Sequence, residues 1–206
     1  MRKFLFVIIF LLGSAVLKLS AQDMRSIFLN APDDIFPLLT KNCRADLVDF
    51  IDAGMKAKVM NDFDGTSVLE SIDDDYLLLA TTASSTMQLK LLPIQNDTII
   101  CMVKSVKAEA VDSRIFFYDL NWTLLDGSGM FIQPEIEDFF KPDVATEKIA
   151  DICDMYLVSL MLDRDDNSLV AEYTMPAYMS AEEAEKVTPV LRKLVYNWDG
   201  ESFVIE

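Results

Sequence analysis

Apolar and polar residues alternate with a period of two through most of the chain. The pattern is clearest from Arg114 to Leu125, where Phe116, Tyr118, Leu120, Trp122 and Leu124 fall on one face and Asp119, Asn121 and Thr123 on the other. This predicts a strand with one buried face, its aromatics the largest apolar deposit in the core. Upstream, runs of the same period at Lys58–Asn61, Ser67–Ile72, Tyr76–Thr82, Thr86–Leu92 and Thr98–Val106 are separated by Asp64-Gly65, Asp73-Asp74-Asp75, Ser84-Ser85 and Asn96-Asp97. Short strands joined by such turns predict an antiparallel meander that ends at the aromatic strand. Tyr76–Ala80 and Ile99–Val103 are apolar on both faces and belong at the centre of the sheet, whereas Gln88 and Lys90 mark a strand with one wet face.

Helical spacing brackets these strands. A short helix is expected to start at Pro32-Asp33-Asp34 and to be cut off by Pro37, and a second to run from Thr40 or Asn42 to about Gly54 with Leu47, Phe50, Ile51 and Met55 inward. After Asp126-Gly127-Ser128-Gly129, helical signals return at Pro134–Phe140 and again from Thr146, where Ile149, Ile152, Cys153 and Tyr156 form one stripe. Strands follow at Leu157–Leu162 and Leu169–Thr174, then a helix opened by the capping box Ser180–Glu183, then a closing pair at Val190–Tyr196 and Phe203–Ile205 around Asp199-Gly200. The fold class expected is α+β: a single domain over residues 22–206, with pseudo-repeat halves at about 24–125 and 130–206. Each half reads as two helices followed by an antiparallel sheet of about four strands, the two forming one compact unit.

The first 21 residues change the picture of where the chain works. Arg2 and Lys3, the apolar run Phe4–Leu12 and Leu19-Ser20-Ala21 have the build of a secretory signal peptide cleaved after Ala21, too short for a membrane span. The first cysteine is Cys43, so no lipid-bearing N-terminal cysteine is expected, and the mature chain reads as periplasmic or secreted. Its loss takes three bases and no acid from a chain of 206 residues, lowering the net charge from −16 to −19. Such a surface repels nucleic acid and anionic headgroups and favours solubility.

The chain has no histidine, which removes every Ser-His and Cys-His nucleophile pair and every imidazole-dependent zinc site. Cys43, Cys101 and Cys153 are odd in number and lie in apolar surroundings, as buried inert thiols do. Asp62-Phe63-Asp64-Gly65-Thr66 spells the nucleophile motif of haloacid-dehalogenase-like phosphatases. That chemistry needs the first Asp at the end of a parallel strand leading into a helix, and here strand leads to strand, so a hairpin turn is the expected role. Asp163-Arg164-Asp165-Asp166-Asn167 opens like a calcium loop, but Ser168 stands where glycine is needed and Thr174 where a bidentate Glu belongs. A hairpin turn accounts for it as well.

Ile99–Val103, Asp112-Ser113, Phe117–Trp122 and the closing Tyr196-Asn197-Trp198-Asp199-Gly200 to Phe203 together resemble a family of secreted Bacteroidetes proteins catalogued as a domain of unknown function. The resemblance covers nearly the whole mature chain and brings no catalytic residues with it. In arrangement, the two-helix, four-strand halves are similar to the β-lactamase-inhibitor-like fold. Asp97-Thr98-Ile99 fits the pattern that Bacteroidetes use for O-glycosylation of exported proteins, with Thr98 as acceptor; an unmodified turn is the alternative.

These readings point to a binding or interaction module for an envelope protein or extracellular ligand. Its candidate contact residues are Trp198, Tyr196 and Asp199, beside a surface hairpin, with Trp122 in the core. No catalytic residue, cofactor or metal ligand stands out, and a monomer is expected. The alternative is a hydrolase working through carboxylates or a divalent metal on an extracellular substrate, which requires acids that converge in a pocket with shifted pKa values.

Overall fold

The computed structural model describes residues 23–142, 153 and 155–206, so the leader segment and most of the stripe expected from Thr146 lie outside the described residues. Two helices come first, α1 (Met24–Asn30) and α2 (Lys41–Asp52). A meander of six strands follows: β1 (Lys58–Met60), β2 (Thr66–Ile72), β3 (Tyr76–Thr82), β4 (Ser85–Ile94), β5 (Asp97–Lys107) and β6 (Val111–Tyr118). Beyond a 3-10 turn at Ile136–Phe139 come β7 (Val158–Leu162), β8 (Ser168–Tyr173), α3 (Ala181–Val187), β9 (Leu194–Trp198) and β10 (Phe203–Ile205). The fold is α+β with two antiparallel sheets, one of six strands in the order β1-β2-β3-β4-β5-β6 and one of four in the order β10-β9-β8-β7. The expectation of about four strands per half thus holds for the second sheet and undercounts the first.

Local chemistry sets the helix ends. Asp23 caps α1 by accepting from the Ser26 N–H at 2.9 Å, and Met24, Ile27 and Phe28 supply its buried stripe. The helix therefore precedes Pro32 instead of starting there, and the two prolines shape the turns that follow. Thr40 caps α2 through the Cys43 N–H, and Gly54, at φ +68°, lets the chain leave it. Ser180 and Glu183 form the expected capping box on α3.

The large sheet is a middle layer. Leu77 and Leu79 of β3, Met87 and Leu89 of β4, Ile100 and Met102 of β5 and Tyr118 of β6 pack beneath α1 and α2 with Phe28, Leu39 and Leu47. Tyr76, Leu92, Ile99, Cys101, Val103 and Phe117 point the other way, into a second core shared with the small sheet through Leu160, Leu169, Tyr196 and Trp198. Both faces of the central strands are covered, as their apolar runs require.

Two expectations fail in instructive ways. The strand expected over Arg114–Leu125 stops at Tyr118, because Asp119 Oδ1 accepts from the Asn121 and Thr123 N–H groups and turns the chain. Trp122 then sits at φ +66° and reaches the helix-side core through this turn, 5.9 Å from Phe36 and 5.6 Å from Tyr118, while Leu124 is left exposed. Gln88 and Lys90 do not face water. Both are buried beneath β7: Gln88 Oε1 accepts the Leu162 N–H at 2.8 Å, and Lys90 Nζ donates to Arg164 O at 2.9 Å while pairing with Asp75.

These contacts cover part of the edge of the small sheet. Strand β7 is an outer strand, and its Leu160 and Leu162 N–H groups are taken by Ser113 Oγ and Gln88 Oε1. Gln88→Leu leaves the Leu162 donor buried and unpaired, an expected loss of about 1–3 kcal/mol in a denaturant melt. A midpoint unchanged by the substitution would show that the bond contributes nothing.

Candidate functional site

The residues expected to form a contact patch do not converge on the surface. Trp198 is only 9% exposed: its ring lies 5.2 Å from Phe203 and 6.3 Å from Phe117, and its Nε1 donates to Pro93 O at 2.6 Å. Tyr196 is buried as well, edge-on to Phe131 at 5.3 Å. Their surface placement is corrected by strand period, which turns Leu194, Tyr196 and Trp198 of β9 together into the second core. Asp199 is exposed and its Oδ1 accepts from the Glu201 and Ser202 N–H groups, capping the hairpin. Thr98 stands half-buried at the start of β5, paired across the strands with Pro93.

The acidic motifs turn onto their own backbones. Asp62–Gly65 forms the β1–β2 hairpin, in which Asn61 Oδ1 accepts from Phe63 and Gly65. Asp163 Oδ1 accepts from Asp165 and Asp166 in the β7–β8 turn. Local serine side chains and N–H donors hold Asp166 and Glu183, and local N–H donors hold Asp119, Asp126 and Asp199, below the usual carboxylate range. Among the described residues no group of three or more Asp, Glu or Cys could hold a metal ion. Burial pushes the Cys101 thiol up, as in an inert core cysteine.

A different place has the geometry of a site. Strand β6 is the outer strand of the large sheet, paired on one side only, with β5 in unbroken register from Ile100↔Tyr118 to Lys107↔Val111. In an antiparallel ladder a residue's N–H and C=O point to the same side, and the side alternates along the strand. Val111 O accepts from Thr174 Oγ1 and Phe117 O from the Leu125 N–H, so the odd-numbered residues face outward. Between those two anchors the N–H and C=O groups of Ser113 and Ile115 have no protein partner among the described residues.

These open groups lie on the floor of a groove of about 470 Å³. Its walls are Phe131, Gln133, Tyr156, Val158 and Leu160. A second hollow of about 290 Å³ continues it past Phe117 toward Leu124 and Gly127. A Cβ on Gly127 would meet the Phe117 ring at 2.7 Å, so glycine is what lets this loop lie close over the strand. Phe131 is braced by Tyr196 and by its N–H bond to Gly127 O, and Tyr156 by donating its hydroxyl to Pro134 O at 2.9 Å. Burial raises the Tyr156 hydroxyl to about 12, so it is a neutral wall at ordinary pH. Leu124, which lines the second hollow, is 61% exposed and leaves apolar surface at the groove's end.

Sequence reasoning missed Ser113, Ile115 and Phe131 as site residues. The signal was the order of strands: the last strand of a meander, followed by a glycine-rich break, is an outer strand.

The sequence model of a family described as "Protein of unknown function (DUF3256)" matches residues 16–203. No curated protein matches the chain. A solved structure described as that of a domain of an uncharacterized protein from Porphyromonas gingivalis W83 is similar, with a TM-score of 0.77 at 25% identity over 87% of this chain and 97% of that one. Both findings agree with the resemblance to a Bacteroidetes family without an assigned activity. No helix among the described residues is long and apolar enough to cross a membrane.

Proposed function

We propose a function for this chain, which belongs to the DUF3256 family of proteins of unknown function: it is an exported binding module that takes an extended peptide segment of an envelope protein or extracellular ligand as an added strand on β6. One observation carries the reading, the unpaired N–H and C=O groups of Ser113 and Ile115 on the floor of a groove of mixed polar and apolar lining. Such a row of groups is a template for another strand. The other edges of the two sheets are managed differently. Strands β1 and β10 have three residues each, and β7, with five, has its Leu160 and Leu162 N–H groups taken by side chains. Among the described outer strands β6 is the longest, and its open groups lie beside a groove.

Ile115→Pro tests this. It removes a donor aimed at the ligand and leaves intact the bonds to β5, which Arg114 and Phe116 make. Wild type is expected to bind a fluorescein-labelled octapeptide of alternating Thr and Val, read by anisotropy. The variant is expected to lose that binding while keeping its melting temperature within a few degrees, by the scale on which about 1 kcal/mol moves a domain. Equal binding by the two proteins, or none by wild type, would sink the proposal.

Export rests on Arg2, Lys3 and the apolar run behind them. N-terminal sequencing of the exported protein is expected to begin at Gln22 or its cyclised form, and a membrane-bound product retaining residues 1–21 would refute it.

A further inference from the structure

We infer that the strand taken by this groove carries an acidic side chain directly beside Arg114, with apolar side chains at alternate positions; the inference rests on the strand-addition reading of β6. Arg114 stands directly across from Lys104 of β5. Like charges so placed repel, their Cβ atoms being only about 4.5–5.5 Å apart. The chain has 34 acidic residues against 18 basic ones, yet neither Lys104 nor Arg114 takes part in an ion pair among the described residues. Lys104 Nζ instead lies 5.6 Å from the centre of the Phe116 ring, half-buried, and burial lowers its pKa. Asp112, two residues along the same face of β6, sits across from Val106 and makes no ion pair with Arg114. This is an unneutralised pair of cations at the open edge of an acidic protein.

An added strand extends the row. Arg114 directs its own backbone groups toward β5, so the residue opposite it on the new strand forms a non-hydrogen-bonded pair, the closer of the two kinds. A carboxylate there continues Lys104–Arg114 as a third member of opposite sign and accepts from the guanidinium. The residues on either side of it point to the other face, where Ile115, Phe131 and Leu160 meet them with apolar surface. The ligand is therefore an extended segment with apolar residues at every second position and an Asp or Glu between two of them.

The test uses three Thr-Val octapeptides with Glu, Gln or Lys at one central Thr position, titrated into wild type and Arg114→Gln. The Glu peptide is expected to bind wild type about fivefold more tightly than the Gln peptide, the ratio given by a cross-strand pair of opposite charge. That preference is expected to vanish in Arg114→Gln and to shrink at high salt. Equal binding of all three peptides by wild type, or tightest binding of the Lys peptide, overturns the acidic preference and leaves strand addition standing. Binding of none overturns both readings.

Discussion

Trp198→Ala is expected to lower stability by about 3–5 kcal/mol, the range for truncating a buried aromatic. Its ring fills the space between Phe117 of the large sheet and Phe203 of the small one, so the cavity opens where the two layers meet. The substitution also removes the donor to Pro93 O, a side-chain bond that ties β9 to β4. Trp122→Ala is expected to cost a similar amount, since Trp122 is equally buried beside Phe36 and Tyr118. At Trp122, glycine is expected to be less harmful relative to alanine than usual, because φ is +66° there. Denaturant melts of the three variants check this; a Trp198→Ala protein within about 1 kcal/mol of wild type would contradict the burial of that ring.

The second large effect is expected at Arg44, which is 1% exposed and works as a backbone staple. Its Nη1 donates to Leu39 O at 2.8 Å and to Asp33 Oδ1 at 3.1 Å, its Nη2 donates to Ala31 O at 2.6 Å, and the guanidinium lies 5.6 Å from the Phe36 ring centre. The segment between α1 and α2 has few ladder bonds of its own, so this side chain supplies the donors that a helix or sheet would otherwise provide. Arg44→Met keeps apolar volume but strands two buried carbonyls, each costing about 1–3 kcal/mol. A total loss of about 2–5 kcal/mol is expected, with Arg44→Lys rescuing little because one ammonium cannot span the three acceptors. Asp33→Asn is expected to matter little, since Asp33 is largely exposed. If Arg44→Met melts like wild type while Asp33→Asn does not, the ion pair and not the carbonyl staple holds this turn.

Much of the chain was legible from its pattern. Strand period and turn residues locate all six strands of the meander, Tyr76–Thr82 with its bounds, and Ser180–Glu183 marks α3 by a mechanism that operates within four residues. What stayed hidden depends on layers. Period two tells which side chains share a face, but not what covers that face. Gln88 and Lys90 therefore look wet until β7 is laid over them, and Trp198 looks like a surface residue beside a turn until Phe117 is set against it. The end of β6 was misplaced because Asp119 takes two backbone donors and overrides an alternation that runs on to Leu124. The candidate site was hidden for a related reason: its principal groups are backbone N–H and C=O, which every residue carries, and only register shows that those of Ser113 and Ile115 lack a partner.

Amide hydrogen exchange at β6 tests that site most directly. In the protein alone, the Ser113 and Ile115 amides are expected to exchange rapidly, while those of Arg114 and Phe116, bonded to β5, are protected. Saturation with the Thr-Val octapeptide carrying a central Glu is expected to slow Ser113 and Ile115 by at least about tenfold and to leave Arg114 and Phe116 nearly unchanged, as added-strand bonds require. Exchange at Ser113 and Ile115 that is already as slow as at Arg114 without peptide, or that stays fast at saturation, would contradict strand addition at this edge.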